Sequence, residues 1–214
     1  MNRSLKDFFG RIHATDAAPV HSVGNHFVVV GCSHTQGVGL DSFFRYSSVM
    51  QRQLNLPVYN LSYGGGCAEL NCNYAIRWLH TVGKPQFLVA QWPHPIRKII
   101  WKNGDWSVQN VHATNDGLFA ETLRWGEENF WFHWLNSVII TNTAYAALDI
   151  PVVNFTLDTI PDQYQSILKH NNIIVSDTDW MLDNAANDAQ HHGIRAHAQW
   201  AEKIIGTLNE LTTR

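Results

Sequence analysis

Charge is scarce in this chain. Lys, Arg, Asp and Glu together make up 15% of the 214 residues, against about 25% in an ordinary soluble domain. The 15 basic and 18 acidic residues leave a net charge of −3. Without a basic excess, nucleic acid and anionic membrane surfaces are excluded as default partners. Cysteine is also sparse: three residues, an odd number, with no CxxC pair, so there is no disulfide framework. No window approaches 18 uninterrupted apolar residues, which excludes a membrane-spanning helix. The first twenty residues contain no apolar run followed by a small-residue cleavage site, so no secretory signal is expected. A soluble, cytoplasmic protein with reduced thiols is the expectation.

Aromatic residues are plentiful, at 12% with nine Trp, and a core of this size needs no metal or disulfide to hold it. Low charge and a large apolar share also exclude a disordered chain. The length fits one domain, residues 1–214, in which 1–24 read as a polar N-terminal leader segment.

Short apolar runs recur along the chain at Phe27–Val30, Val58–Leu61, Phe87–Ala90, Val152–Phe155 and Ile173–Val175. Rich in β-branched residues and too short for helices, they predict strands buried on both faces. Segments with helical periodicity lie between them, near 41–54, 67–82, 118–148 and 193–212. Strand and helix in alternation predict an α/β fold, a parallel sheet of about five strands covered by helices. After the third run, residues 97–108 alternate around Asn103-Gly104, the sequence of a β-hairpin. A hairpin inserted there would stand near the strand carboxyl ends, where open α/β sheets bind ligands. Trp101 and Trp106 flank its turn and, with Trp92, are candidates for a substrate wall. The aromatics of the following helix, Trp125, Phe130, Trp131, Phe132 and Trp134, read mostly as packing, since Trp131, Leu135, Val138 and Ile139 keep a core-facing spacing.

The first strand runs into Gly31-Cys32-Ser33-His34-Thr35-Gln36-Gly37. Ser33 therefore stands at a strand's carboxyl end just before a helix, where its hydroxyl is exposed and backbone N–H groups can face an anion. A helix cap or a phosphate cradle would use the same position, although a phosphate loop of the GxxxxGK[ST] kind is absent. Near the other end, Asp188 and His191 lie three residues apart before the last helix. A carboxylate so placed can hold one ring nitrogen while the other faces a nucleophile, the arrangement a serine hydroxyl needs.

These two segments, with Asn60-Leu61-Ser62-Tyr63-Gly64-Gly65-Gly66 between them, resemble the sequence blocks of the SGNH (GDSL-type) hydrolases. The first matches the block usually written GDSxTxG, the second the block carrying an oxyanion glycine, and Asp188-x-x-His191 the fifth. The resemblance implies a flavodoxin-like three-layer α/β/α sandwich and hydrolysis of carboxylic esters, O-acetylated glycans or acyl lipids and thioesters, with no cofactor. It implies Ser33 as nucleophile, His191 as acid/base and Asp188 as its orienter. The oxyanion would be held by the N–H groups of Ser33 and Gly65, with Gly64 or Gly66 as alternatives of register. The family's Asp before the serine is Cys32 here. Its third block, GxND, is replaced by Gln91-Trp92-Pro93-His94-Pro95-Ile96-Arg97, which puts His94 in the place of the oxyanion Asn; Gln91 is the other candidate.

Other readings use the same residues. Cys32 could itself be a nucleophile, though a small buried residue at a strand end is the simpler role, and Cys67 and Cys72 read as helix-face packing. The spacing of His191, His192 and His197 lacks the paired ligands and glutamate of a zinc hydrolase, so no metal is expected. The altered third block suits a non-catalytic carbohydrate-binding module on the same scaffold. A nucleotide-binding α/β protein would want a lysine in the first loop, and there is none.

Overall fold

The structure, a computed structural model, describes residues 24–102, 105–110, 116–176, 186–187 and 191–213. In chain order these form β1 (Phe27–Val30), α1 (Ser33–Gln36), α2 (Tyr46–Leu54), β2 (Val58–Asn60), α3 (Ala68–Thr81), β3 (Leu88–Trp92), β4 (Arg97–Lys102), β5 (Asp105–Asn110), α4 (Asp116–Ala146), β6 (Val152–Thr156), α5 (Asp162–His170), β7 (Val175–Ser176) and α6 (Ile194–Thr212). A single 3₁₀ turn, Ser42–Phe44, precedes α2.

Five strands form one sheet in the order β2-β1-β3-β6-β7, and every pairing in it is parallel. The expected three-layer α/β arrangement is thus what the chain adopts. The alternation along β1 shows why both faces must be covered. Val28 and Val30 point into a core shared with Leu70, Tyr74 and Trp78 of α3 and Trp134 and Val138 of α4. Phe27 and Val29 point the other way, onto Tyr46 and Met50 of α2 and Trp200 and Ile204 of α6. A strand apolar on both faces satisfies its backbone within the sheet and its side chains against two helical layers.

Chain order reverses between β1 and β3: β2 lies on one side of β1, and β3 on the other. The loops leaving β1 and β3 therefore diverge and open a crevice at the carboxyl edge, the usual ligand position in such sheets. The block at Ser33 follows β1 and residues 93–97 follow β3, at that carboxyl edge.

Several elements depart from the sequence expectation. Helix α5 escaped it because only Tyr164 and Leu168, four residues apart, are buried on its inner face, too short a stripe to show as periodicity. The helical segment near 118–148 is broken at Gly126, where φ is 72° and ψ 154°. The last apolar run pairs through Val175 and Ser176, with Ile173 in the core and Ile174 69% exposed. Strands β4 and β5 pair antiparallel, with Trp101 opposite Trp106; the side chains of residues 98–125, these two tryptophans included, lie outside the described residues. So do residues 1–23, the expected leader. On α4 the aromatic packing is as expected for Phe130, Trp131 and Trp134, which are buried, while Phe132 is exposed. Among the described residues, no helix is long and apolar enough to cross a membrane.

Candidate active site

Ser33 opens α1, a single helical turn ending at Gly37, whose φ of 70° turns the chain away. The turn is compact because Gly31 lies against Thr35: a Cβ at Gly31 would meet the Thr35 hydroxyl at 2.2 Å. Gln91, on the neighbouring strand β3, anchors this loop. Its Oε1 accepts from the Cys32 N–H at 3.0 Å, the Cys32 thiol at 3.0 Å and the Thr35 hydroxyl at 3.2 Å. The Tyr46 hydroxyl donates in turn to Thr35 Oγ1 at 3.3 Å. Burial pushes the Tyr46 phenol far up, so it remains a donor. Gln91 is 1% exposed and its Nε2 donates to the Trp92 carbonyl. The expectation that its amide could face an oxyanion is thereby corrected: it braces the loop from behind. Cys32 is buried with its S–H directed to Gln91, the placement of a packing residue.

The second block crosses beside the first. Asn60, at the end of β2, donates through Nδ2 to the Thr35 carbonyl at 3.3 Å and to Ser47 Oγ at 3.2 Å. Its Oδ1 accepts from the Ser62 N–H and hydroxyl. Of the three following glycines, Gly66 donates its N–H to the Tyr63 carbonyl at 2.7 Å. A Cβ there would meet that oxygen at 2.9 Å and the Gly31 carbonyl at 3.1 Å. Gly66 is therefore a contact between the two loops, with its donor in use. Gly65 has a φ of 78°, and a Cβ on it would meet open space, so its backbone borders solvent beside the nucleophile loop.

In the third block, Trp92 is fully buried. Its indole donates to Asn154 Oδ1 at 3.0 Å and packs edge-on against Trp134. This corrects its place in the expected substrate wall: Trp92 is a core residue. The Trp134 indole donates to the Pro93 carbonyl at 2.9 Å and so fixes the segment that presents His94. The His94 Nδ1 accepts from the Ile96 N–H at 3.3 Å, which leaves the proton on Nε2. That nitrogen stands 3.8 Å from Asp158 Oδ1. Burial raises the Asp158 carboxyl above its ordinary range, against the opposing pull of His94 and Arg97.

The fifth block brings the His191, His192 and His197 group of the sequence against His34 of the first block, a meeting that the sequence did not show. His191 lies 4.9 Å from His34, ring centre to ring centre, and His192 lies 5.1 Å from the same ring. His192 also packs edge-on against Trp200 at 5.1 Å. Beneath them His197 is fully buried and its Nδ1 accepts from the Tyr46 N–H at 3.1 Å. Desolvation, with His192, His34, Arg45 and His191 around it, lowers the His197 pKa to about 3. Asp188 lies outside the described residues. The Asn187 N–H donates to the carbonyl of Gly39, two residues past the first block, at 3.3 Å. Among the described residues, no three His, Cys, Asp or Glu side chains are arranged to hold a metal ion.

No protein-family profile matches this chain, and no curated protein matches it in sequence. Its fold is nonetheless shared with solved structures. A psychrotrophic esterase, EstA, from a Pseudoalteromonas species superposes with a TM-score of 0.57 at 13% identity, over 89% of this chain and all of that one. An acetyl xylan esterase, Est2A, from the rumen bacterium Butyrivibrio proteoclasticus gives 0.56 at 11% identity, over 91% of this chain and 66% of the other. A member of the lipolytic G-D-S-L family from Veillonella parvula gives 0.51 at 13% identity, over 86% and 97%. The three-layer sandwich expected from the sequence blocks is the fold of these proteins.

Proposed function

We propose that this chain is a serine esterase acting on a carboxylic ester of a small molecule or an O-acetylated glycan. The observation that carries the reading is the contact of the first and fifth blocks, ring to ring, beside Ser33. Ser33 opens the turn at the carboxyl end of β1, and the ring of the next residue contacts His191 at 4.9 Å. The esterases among the structural neighbours, one of them an acetyl xylan esterase, support the same class of chemistry.

In this mechanism Ser33 Oγ attacks the ester carbonyl carbon while His191 takes the hydroxyl proton, its ring oriented by Asp188. The oxygen that becomes negative is held by the backbone N–H groups of Ser33 and Gly65. His94 adds a third donor through Nε2–H, with the Asp158 carboxyl 3.8 Å away. Collapse of the tetrahedral intermediate breaks the bond to the alcohol, which leaves with the proton from His191. Water then enters by the same route in reverse and frees the acid from Ser33. No step calls for a cofactor.

A fluorophosphonate probe tests the reading. Mass spectrometry should find the adduct on Ser33, and Ser33→Ala should lose about 10⁴-fold in turnover of p-nitrophenyl acetate. An unlabelled protein that binds xylan or other acetylated glycans would favour the carbohydrate-binding alternative, which the altered third block suits.

A further inference from the structure

His191 stands just ahead of α6, and its carbonyl accepts from the Ala186 N–H at 2.6 Å, a bond that holds its backbone and leaves the direction of its ring to be set by side-chain contacts. The four aromatic rings at this point form a continuous series. His191 contacts His34 at 4.9 Å with a 55° tilt, and His34 contacts His192 at 5.1 Å with a 47° tilt. His192 contacts Trp200 at 5.1 Å, edge to face. Trp200 is fully buried on α6, between Phe155 of the sheet and Tyr46 of α2. The series therefore runs from the expected base to the hydrophobic core, and its second member, His34, is covalently next to Ser33.

We infer that His34 is a positioning residue, whose ring forms the platform that sets the His191 imidazole against the Ser33 hydroxyl. The inference rests on the esterase reading above. Two features of the geometry fit a platform. His34 is half-buried and belongs to the same one-turn helix as the nucleophile, so nucleophile and platform move as one body. Its ring also meets both block-five histidines, so it restrains the loop at two points instead of one. Aromatic pairs at 4.5–7 Å in tilted geometry are attractive beyond the area they bury. In a site where about 1 Å of misplacement costs about 10²-fold in rate, such a restraint is felt in turnover and hardly in substrate binding.

The test compares ring against nitrogen at position 34. His34→Leu, which fills the volume without a flat ring, should lower kcat for p-nitrophenyl acetate by about 10- to 100-fold while KM changes less than about twofold. His34→Phe, which keeps the ring and loses both nitrogens, should stay within about threefold of wild type. A Phe variant as impaired as the Leu variant would mean that His34 acts through a ring nitrogen, and wild-type kcat in the Leu variant would mean that His191 needs no platform; either result overturns the inference. Ser33→Ala is measured alongside. If it loses turnover while His34→Leu does not, only the platform falls. If Ser33→Ala keeps turnover, the esterase reading falls and takes the platform with it.

Discussion

Gln91 Oε1 holds Cys32 twice, by its backbone N–H and by its thiol, each at 3.0 Å. The two residues are 59 apart in sequence; Gln91 lies on β3 and Cys32 in the turn that leaves the adjacent β1, at the point where the sheet reverses its order. One amide oxygen on β3 thus fixes the loop in front of Ser33, and the Asn71 side chain fixes Gln91 in turn by donating to its carbonyl at 2.8 Å.

Gln91→Ala should therefore destabilise the fold as well as the site. It leaves the Cys32 N–H, the Cys32 thiol and the Thr35 hydroxyl buried with no acceptor, at roughly 1–3 kcal/mol for each group left unsatisfied. A lowered urea midpoint at constant m, corresponding to about 3 kcal/mol, is the expected result. An unchanged midpoint would show that this oxygen does not hold the loop.

Stability should fall as the pH is lowered from about 6.5. The folded-state pKa of His197 is about 3 against an ordinary 6.5, so between these values the unfolded chain binds a proton that the folded chain refuses. Its contribution is complete above pH 6.5 and is lost as the pH falls toward 3, with a slope of up to ~1.4 kcal/mol per pH unit. Burial depresses His26 as well, which acts in the same direction. His197→Asn places a carbonyl oxygen where Nδ1 accepts from Tyr46 and removes the titration. A melting temperature measured from pH 7 to 4 should drop less in that variant than in wild type.

Gly65 and Gly66 should respond differently to alanine. Gly66→Ala forces a Cβ against two backbone oxygens at 2.9 and 3.1 Å, so the loops must separate and the protein should unfold at lower urea. Gly65→Ala has room for the methyl group and meets only the cost of a positive φ, about 1 kcal/mol. It should stay folded and lose kcat, because the N–H that it carries is displaced. Equal loss of stability in both variants would remove Gly65 from the oxyanion site.

His94→Ala should lower kcat by about 10²-fold with little change in KM, the pattern of a donor used only in the transition state. His94→Asn should recover part of that rate through its amide. Asp158→Asn keeps a hydrogen-bond acceptor and removes the competing charge, and should leave kcat within a few-fold. Steady-state kinetics on the three variants separate a donor role for His94 from a purely structural contact with Asp158.

Cys32→Ser should retain turnover, since a hydroxyl can donate to Gln91 as the thiol does. Loss of activity in Cys32→Ser together with wild-type activity in Ser33→Ala would transfer the nucleophile to the thiol. Ester hydrolysis followed spectrophotometrically is enough to decide.

The strands and the layer order were legible in the sequence because their signal is local. A run such as Phe27–Val30, apolar on both faces, fits only a covered parallel strand, and the alternation of such runs with helical segments fits only a sheet between two helical layers. The block around Ser33 was legible for the same reason: a strand end, a small-residue turn and a helix start are contiguous in the chain. What tertiary structure alone decided involves residues far apart in sequence. Gln91 and Trp92 are neighbours on β3, yet the pleat sends one to the nucleophile loop and the other into the core, so one became a brace and the other left the substrate wall. His191, His192 and His197 stand close together in the sequence, but nothing local joins His34 to them. They become one cluster because α6 packs against α2 and β6, which brings the start of α6 to the turn that leaves β1, and that packing depends on the whole core rather than on any segment of it.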